Sequence, residues 1–144
     1  MTESSLLTLN EKSVQNNLAF LKKKMGKNVI LSAVVKANAY GLGIEQIVRL
    51  FEKYGIRHYS VFSYSEAIRV YNSLSESCTI MIMGWISDKE IIAAIEKNIE
   101  FYIFNTERLR VAIECAKQLN KKVCIHLEAE TGMNRTGLND EELT

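Results

Sequence analysis

The sequence predicts an α/β protein built on a parallel sheet. Short apolar runs rich in β-branched residues recur at 29–35, 58–62, 78–83, 100–104 and 122–129. Each pair of runs is separated by a stretch with apolar residues at helical spacing. Strands that alternate with amphipathic helices imply parallel pairing through right-handed crossovers. No linker, low-complexity stretch or composition shift interrupts the pattern, so one unit is expected over 1–144.

Taken in order, Leu6 to Leu9 reads as a short edge strand and Asn10 as a helix cap. Val14, Leu18, Leu21 and Met25 then mark one face of a helix that Gly26 stops. The run Val29 to Val35 is a buried strand. Ile44, Ile47, Val48 and Phe51 form the stripe of the next helix, which ends near Gly55. After the strand His58 to Phe62, a helix presents Ala67, Val70, Tyr71 and Leu74. Cys78 to Met83 is the third core strand, and Asp88 is expected to cap a helix bearing Ile91, Ile92 and Ile95. Glu100 to Phe104 is the fourth strand. Thr106 is expected to cap a helix with Leu109, Ala112, Ile113 and Ala116 inward. Lys122 to Ala129 is the fifth strand, and a polar segment begins at Glu141. Two architectures fit this order: an open doubly wound sheet and a (β/α)8 barrel.

Composition narrows the function. A chain of 144 residues with 47% hydrophobic and 24% charged residues has enough apolar side chains for a folded core. With 18 basic against 17 acidic residues the net charge is +1, which argues against a nucleic-acid surface. Lys22-Lys23-Lys24 is the only basic run and reads as a solvated helix face. Cys78, Cys115 and Cys124 contain no CxxC pair, and His58 and His126 show no ligand spacing. Neither a metal site nor a disulfide framework is expected, and a reducing cytoplasm fits best. Met1 to Ser5 shows no signal-peptide pattern, and no apolar run reaches membrane-spanning length.

The chemistry centres on Lys36. A lysine at the carboxyl end of a buried parallel strand must be desolvated, used, or led out to solvent. A desolvated lysine is a candidate for Schiff-base chemistry. A second constellation, His126 to Gly137, ends the fifth strand. By strand alternation His126, Glu128 and Glu130 share one face, and Ile125, Leu127 and Ala129 share the other. In a barrel the polar set points inward and needs partners; on an edge strand the same set is simply solvated. Trp85, Tyr102 and Phe104 could line a pocket, but core packing is the default for such aromatics.

Val35-Lys36-Ala37-Asn38-Ala39-Tyr40-Gly41 resembles the cofactor-lysine motif of the alanine racemase family. Glu130-Thr131-Gly132-Met133-Asn134-Arg135-Thr136-Gly137 resembles the family's second motif. The resemblance selects the barrel: a pyridoxal-phosphate-binding (β/α)8 fold, of which this chain carries about the first five strands. A full barrel takes roughly 250 residues, so the last three βα units and the family's β-rich C-terminal domain are expected to be absent. The resemblance implies pyridoxal 5′-phosphate as cofactor, held by Lys36 through a Schiff base. It implies Tyr40 at the phosphate, Arg135 at the phenolic oxygen, Asn38 in support, and Arg135 with Met133 near the substrate. Many members carry a carbamylated lysine where Glu128 stands. Glu128 is therefore expected to be the carboxylate that pairs with Arg135.

The implied activity is amino-acid racemisation, with alanine first, supplying D-alanine for peptidoglycan. The family works as a homodimer on a small-molecule amino acid, with a second base from the C-terminal domain, so the 144-residue chain alone is expected to be inactive. Other readings are a lysine or serine racemase of broad specificity, a D-amino-acid aldolase, a non-catalytic pyridoxal-phosphate-binding homeostasis protein, or a fragment whose open strand edges self-associate.

Overall fold

A computed structural model describes residues 6–143. Five strands, β1 (Ser32–Val34), β2 (His58–Val61), β3 (Thr79–Ile82), β4 (Glu100–Ile103) and β5 (Ile125–Leu127), pair in parallel in the order of the chain. Each of the first four is followed by a crossover, so the sheet grows one strand at a time in a single direction. That order is the order of a barrel wall. The doubly wound alternative reverses direction part-way, and nothing here reverses. The molecule is a five-stranded segment of a (β/α) barrel.

Helices α1 (Glu11–Met25), α3 (Ile44–Lys53), α4 (Tyr64–Ser73), α5 (Asp88–Glu96) and α6 (Thr106–Leu119) surround it. Between β1 and α3 lies a five-residue turn, α2 (Lys36–Tyr40), left-handed from Ala37 to Tyr40. A short last helix, α7, spans Asp140–Leu143. The core lies between the sheet's convex face and the helices. Ala33, Val35, Tyr59, Val61, Ile80, Ile82, Phe101 and Ile103 point outward from the strands. They meet Ile44, Ile47, Val48, Ala67, Val70, Ile91, Ala94, Ile95 and Ala112 on the helices. Each fully buried large side chain in this layer contributes about 1.5–3 kcal/mol. Glu52 is buried on α3, and its carboxylate accepts from Ser75 N, Ser75 Oγ and Glu76 N at 2.7–3.2 Å. Those donors hold its charge, and they outweigh burial to lower its pKa.

Several expectations change. Leu6 to Leu9 forms no strand, Leu6 and Leu7 are exposed, and among the described residues β1 pairs only with β2. The first strand is shorter than its apolar run: Val29 and Ile30 lie outside it and are exposed. The caps move back one residue. Ser87, not Asp88, caps α5 in a capping box with Glu90, and Asn105, not Thr106, caps α6. Leu21, Tyr71 and Ile113 are more exposed than their stripes imply. On α6 the buried residues are Arg108, Ala112 and Cys115, and the expected Leu109 and Ala116 pack partly buried against the core. Asn10 caps α1 as expected, accepting from Ser13 N at 3.0 Å. In the basic run, Lys22 donates to the Tyr54 and Gly55 carbonyls. Met1 to Ser5 and Thr144 lie outside the described residues. Among the described residues no helix is long and apolar enough to cross a membrane.

Candidate active site

The carboxyl ends of the strands open onto one cavity of about 460 Å³. Its lining joins Lys36, following β1, to Glu128, Arg135 and Thr136, following β5. Phe62, Met83, Gly84, Trp85, Tyr102 and Phe104 complete it from the ends of β2, β3 and β4. The three aromatics expected in the core at 85, 102 and 104 therefore line the cavity instead. In a barrel wall, a residue just past a strand's carboxyl end faces the mouth, and Tyr102, inside β4, points to the concave side because it alternates with the outward Phe101 and Ile103.

Val35 is buried at 1% exposure, and the half-buried Lys36 follows it at the cavity. No carboxylate lies within 4.0 Å of its ammonium among the described residues. The next four residues, Ala37 to Tyr40, all have φ between 51° and 55°. Left-handed geometry costs about 1–2 kcal/mol for each non-glycine residue, so the turn must be held from outside. Glu66 on α4 accepts from Ala37 N at 2.7 Å. Ala39 is buried and donates to Val35 O at 2.9 Å. Asn38 Oδ1 accepts from Arg69 at 2.7 Å and from Ile44 N at 3.3 Å. Arg69 is itself clamped by Glu45 through two bonds of 2.7 and 2.8 Å. The hydrogen bond from Arg69 holds the Glu45 carboxyl down at about 2. Asn38 thus supports the turn and not the cavity. Strain this concentrated, beside a lysine in a cavity, is characteristic of functional sites.

The second constellation is a compact turn. Glu130 accepts from the backbone N–H groups of Gly132 and Arg135, and the backbone donors of the turn, Asn134 first and then Gly132, lower its pKa. Gly137 has φ 120°, and a Cβ there would collide with the Glu130 backbone. The expected Glu128–Arg135 pair does not form. Glu128 Oε1 accepts instead from Thr136 Oγ1 at 2.8 Å, and no ion pair to Arg135 occurs among the described residues. The turn brings the Thr136 hydroxyl back onto β5, while the exposed Arg135 lines the cavity. Met133 and Tyr40 are 75% and 64% exposed, and neither lines the cavity.

On the opposite wall, Gly84 is required because a Cβ would collide with the Phe62 carbonyl and ring. Trp85 stands beside the buried Arg108, whose guanidinium lies 5.3 Å from the indole centre. Arg108 also donates to the Ile86 carbonyl and, at 3.3 Å, to Asp88. It pins the loop that carries Trp85. No sequence signal pointed to Arg108, since an arginine on a helix ordinarily reads as solvated.

Fold and site define a β/α-barrel domain that presents a lysine from the end of its first strand into a cavity shared with an arginine. A family model described as alanine racemase, N-terminal domain, matches residues 9–144, and the chain belongs to that family. It is 29% identical over 138 residues to alanine racemase of Helicobacter pylori (strain Shi470), covering 96% of this chain and 36% of that protein. It is 30% identical over 135 residues to alanine racemase 2 of Caldanaerobacter subterraneus subsp. tengcongensis, covering 94% and 34%. The structure of alanine racemase from Clostridium difficile 630 superposes with a TM-score of 0.80 at 26% identity, over 88% of this chain and 33% of that one. A histidine racemase from Leuconostoc mesenteroides subsp. sake gives a TM-score of 0.81 at 24% identity over 92% of this chain and 36% of that one, and shows the fold alone. The chain spans about a third of the length of the curated relatives it matches.

Proposed function

We propose that this chain carries the lysine-bearing part of an amino-acid racemase site that uses pyridoxal 5′-phosphate, with alanine as the first substrate to test. The observation that supports it most is the shared cavity: Lys36 from β1 and Arg135 from beyond β5 line it together. The residues present fit the cofactor. Lys36 offers an amine to an aldehyde, Arg135 a fixed cation to an anionic oxygen, and Trp85, Tyr102 and Phe104 an aromatic wall to a planar ring. Tyr40 stands at the exposed end of the held turn, and its contact to the phosphate is part of the proposal, carried by the motif. When bound, the cofactor delocalises the electron pair left on the α-carbon after proton loss.

The chain's own residues do the rest. Lys36 Nζ takes the α-proton on one face and returns it. Arg135 orients the ring, and Glu128, fixed by Thr136, keeps a carboxylate on the same wall. Inversion needs a base on the other face. We place it, with the remaining barrel strands and the dimer partner, beyond these residues. A D-alanine product would feed the cell wall.

The test is hydrogen exchange at the α-carbon of L-alanine in deuterium oxide with added pyridoxal phosphate, followed by proton NMR and chiral chromatography. Exchange with retained configuration, lost in Lys36→Ala, is expected. Exchange equal to that of free pyridoxal phosphate contradicts the proposal. Histidine, serine and lysine tested in parallel address the activity of the structurally similar histidine racemase and the broader racemase readings.

A further inference from the structure

Lys36 and Arg135 stand at opposite edges of a five-stranded sheet. Strands lie about 4.8 Å apart, so in a flat sheet the edges would be roughly 19 Å apart. They share a cavity only because the sheet is curled, and the structure contains a device on its concave face that holds the curl.

That device is a chain of polar side chains drawn from four strands and reaching from β1 to β5. Ser60 and Ser32 hydroxyls meet at 2.5 Å, linking β2 to β1. Ser32 Oγ lies 2.7 Å from His58 Nδ1. The His58 Nε2 reaches over β3 to within 3.9 Å of Glu100 Oε2 on β4. His126 Nε2 on β5 lies 2.7 Å from the same oxygen. One proton assignment suits the hydrogen bonds: Ser60 donates to Ser32, Ser32 to His58 Nδ1, and His126 Nε2–H to Glu100, while His58 Nε2–H faces the same carboxylate from beyond hydrogen-bond length. All dipoles then run towards one carboxylate. His58 belongs to β2 and Glu100 to β4, so these side chains converge only on a concave face. The His126 ring also leans on Tyr102, at 5.8 Å between centres, and Tyr102 lines the cavity. Glu128 follows His126 by two residues on the same face.

We propose that Glu100 is the positioning residue of this site: by gathering His58 and His126 onto one oxygen, it sets the curvature that brings the Lys36 edge to the Arg135 edge. Its functional meaning rests on the racemase reading above, but its geometry does not. Glu100 touches none of the cavity-lining groups assigned to the cofactor, and it acts through His126, Tyr102 and the strand spacing.

The experiment measures the edge-to-edge distance without any cofactor. Spin labels are placed at Leu42→Cys and Thr131→Cys, with Cys78, Cys115 and Cys124 replaced by alanine. Pulsed electron resonance then gives the distance distribution. In Glu100→Ala the distribution is expected to lengthen by several ångströms and broaden. In Glu100→Gln, which keeps an acceptor for His126 but no charge, it falls between Ala and the parent. The control Glu107→Ala, an exposed acid on α6, leaves it unchanged. Circular dichroism selects the variants that fold. An unchanged distribution in folded Glu100→Ala or Glu100→Gln overturns the proposal, as does an equal change in Glu107→Ala. A parent chain that fails to bind pyridoxal phosphate sinks the racemase reading and leaves the distance result standing.

Discussion

After Lys36 the chain runs left-handed for four residues, and the two neighbours of the lysine divide the work. Val35 is buried behind it, and Ala37 N is taken by Glu66. The residue types of this site were legible: a lysine ending an apolar strand, and an arginine in a glycine-bounded turn. Their partners were not. Thr136 reaches Glu128 only because the turn folds back, which spacing along the chain does not reveal. Trp85, Tyr102 and Phe104 read as core because aromatic residues usually are, and only barrel geometry sends them to the mouth. His126 needed a partner and has one in Glu100. His58 carries a prediction of its own. Burial lowers its pKa below the ordinary 6.5, and neighbouring His126 adds to this, against the pull of Glu100. A base with a depressed folded pKa stays neutral while the unfolded chain protonates. Its stability is therefore fully present above about pH 6.5 and drains away as pH falls from there through the lower folded value. Thermal melts from about pH 7.5 to about pH 5 should show a falling midpoint. The fall should be shallower in His58→Gln; an identical slope in that variant contradicts the assignment.

Among the elements, α4 does more than cover the sheet. Ser63 and Glu66 form its capping box, and the same Glu66 carboxylate accepts from Ala37 N and Phe62 N. One side chain therefore starts a helix and holds the strained turn after Lys36. Glu66→Ala should cost about 1–2 kcal/mol and lower the melting midpoint by several degrees. Amide exchange at Ala37 to Gly41 should rise more than that global loss explains. A loss of midpoint with no selective rise there would mean the turn is held by Asn38 and Arg69 alone. Helix existence and facing were readable from apolar spacing. The caps slipped by one residue at 88 and 106, because Asp, Ser, Asn and Thr are all competent caps and stood side by side. The left-handed turn was not readable: of Ala37, Asn38, Ala39 and Tyr40, only asparagine is at ease in that geometry.

The whole molecule is an incomplete ring. The alternation of strand and helix made a parallel α/β fold legible, but it did not separate an open sheet from a barrel. The motifs selected the barrel, and the strand order agrees with them. The curl was not legible, because it depends on contacts such as His58 to Glu100 that skip a strand. Among the described residues, β1 and β5 each pair on one side only, and Val34 and Leu127 are exposed there. Unpaired parallel edges invite pairing between copies. Sedimentation velocity on this 144-residue chain should show association that grows with concentration, and Leu127→Lys should weaken it. A monomer at every concentration would contradict this and show that the edges are protected.

The central claim is that Lys36 is the residue that holds pyridoxal phosphate in this cavity. It is tested most directly by adding the cofactor, reducing with borohydride, and mapping the added mass by peptide mass spectrometry. The account predicts one modified peptide, the one containing Lys36, and quenching of Trp85, the only tryptophan. Both signals should be lost in Lys36→Ala. Label spread over surface lysines, or an undiminished signal in Lys36→Ala, would contradict it.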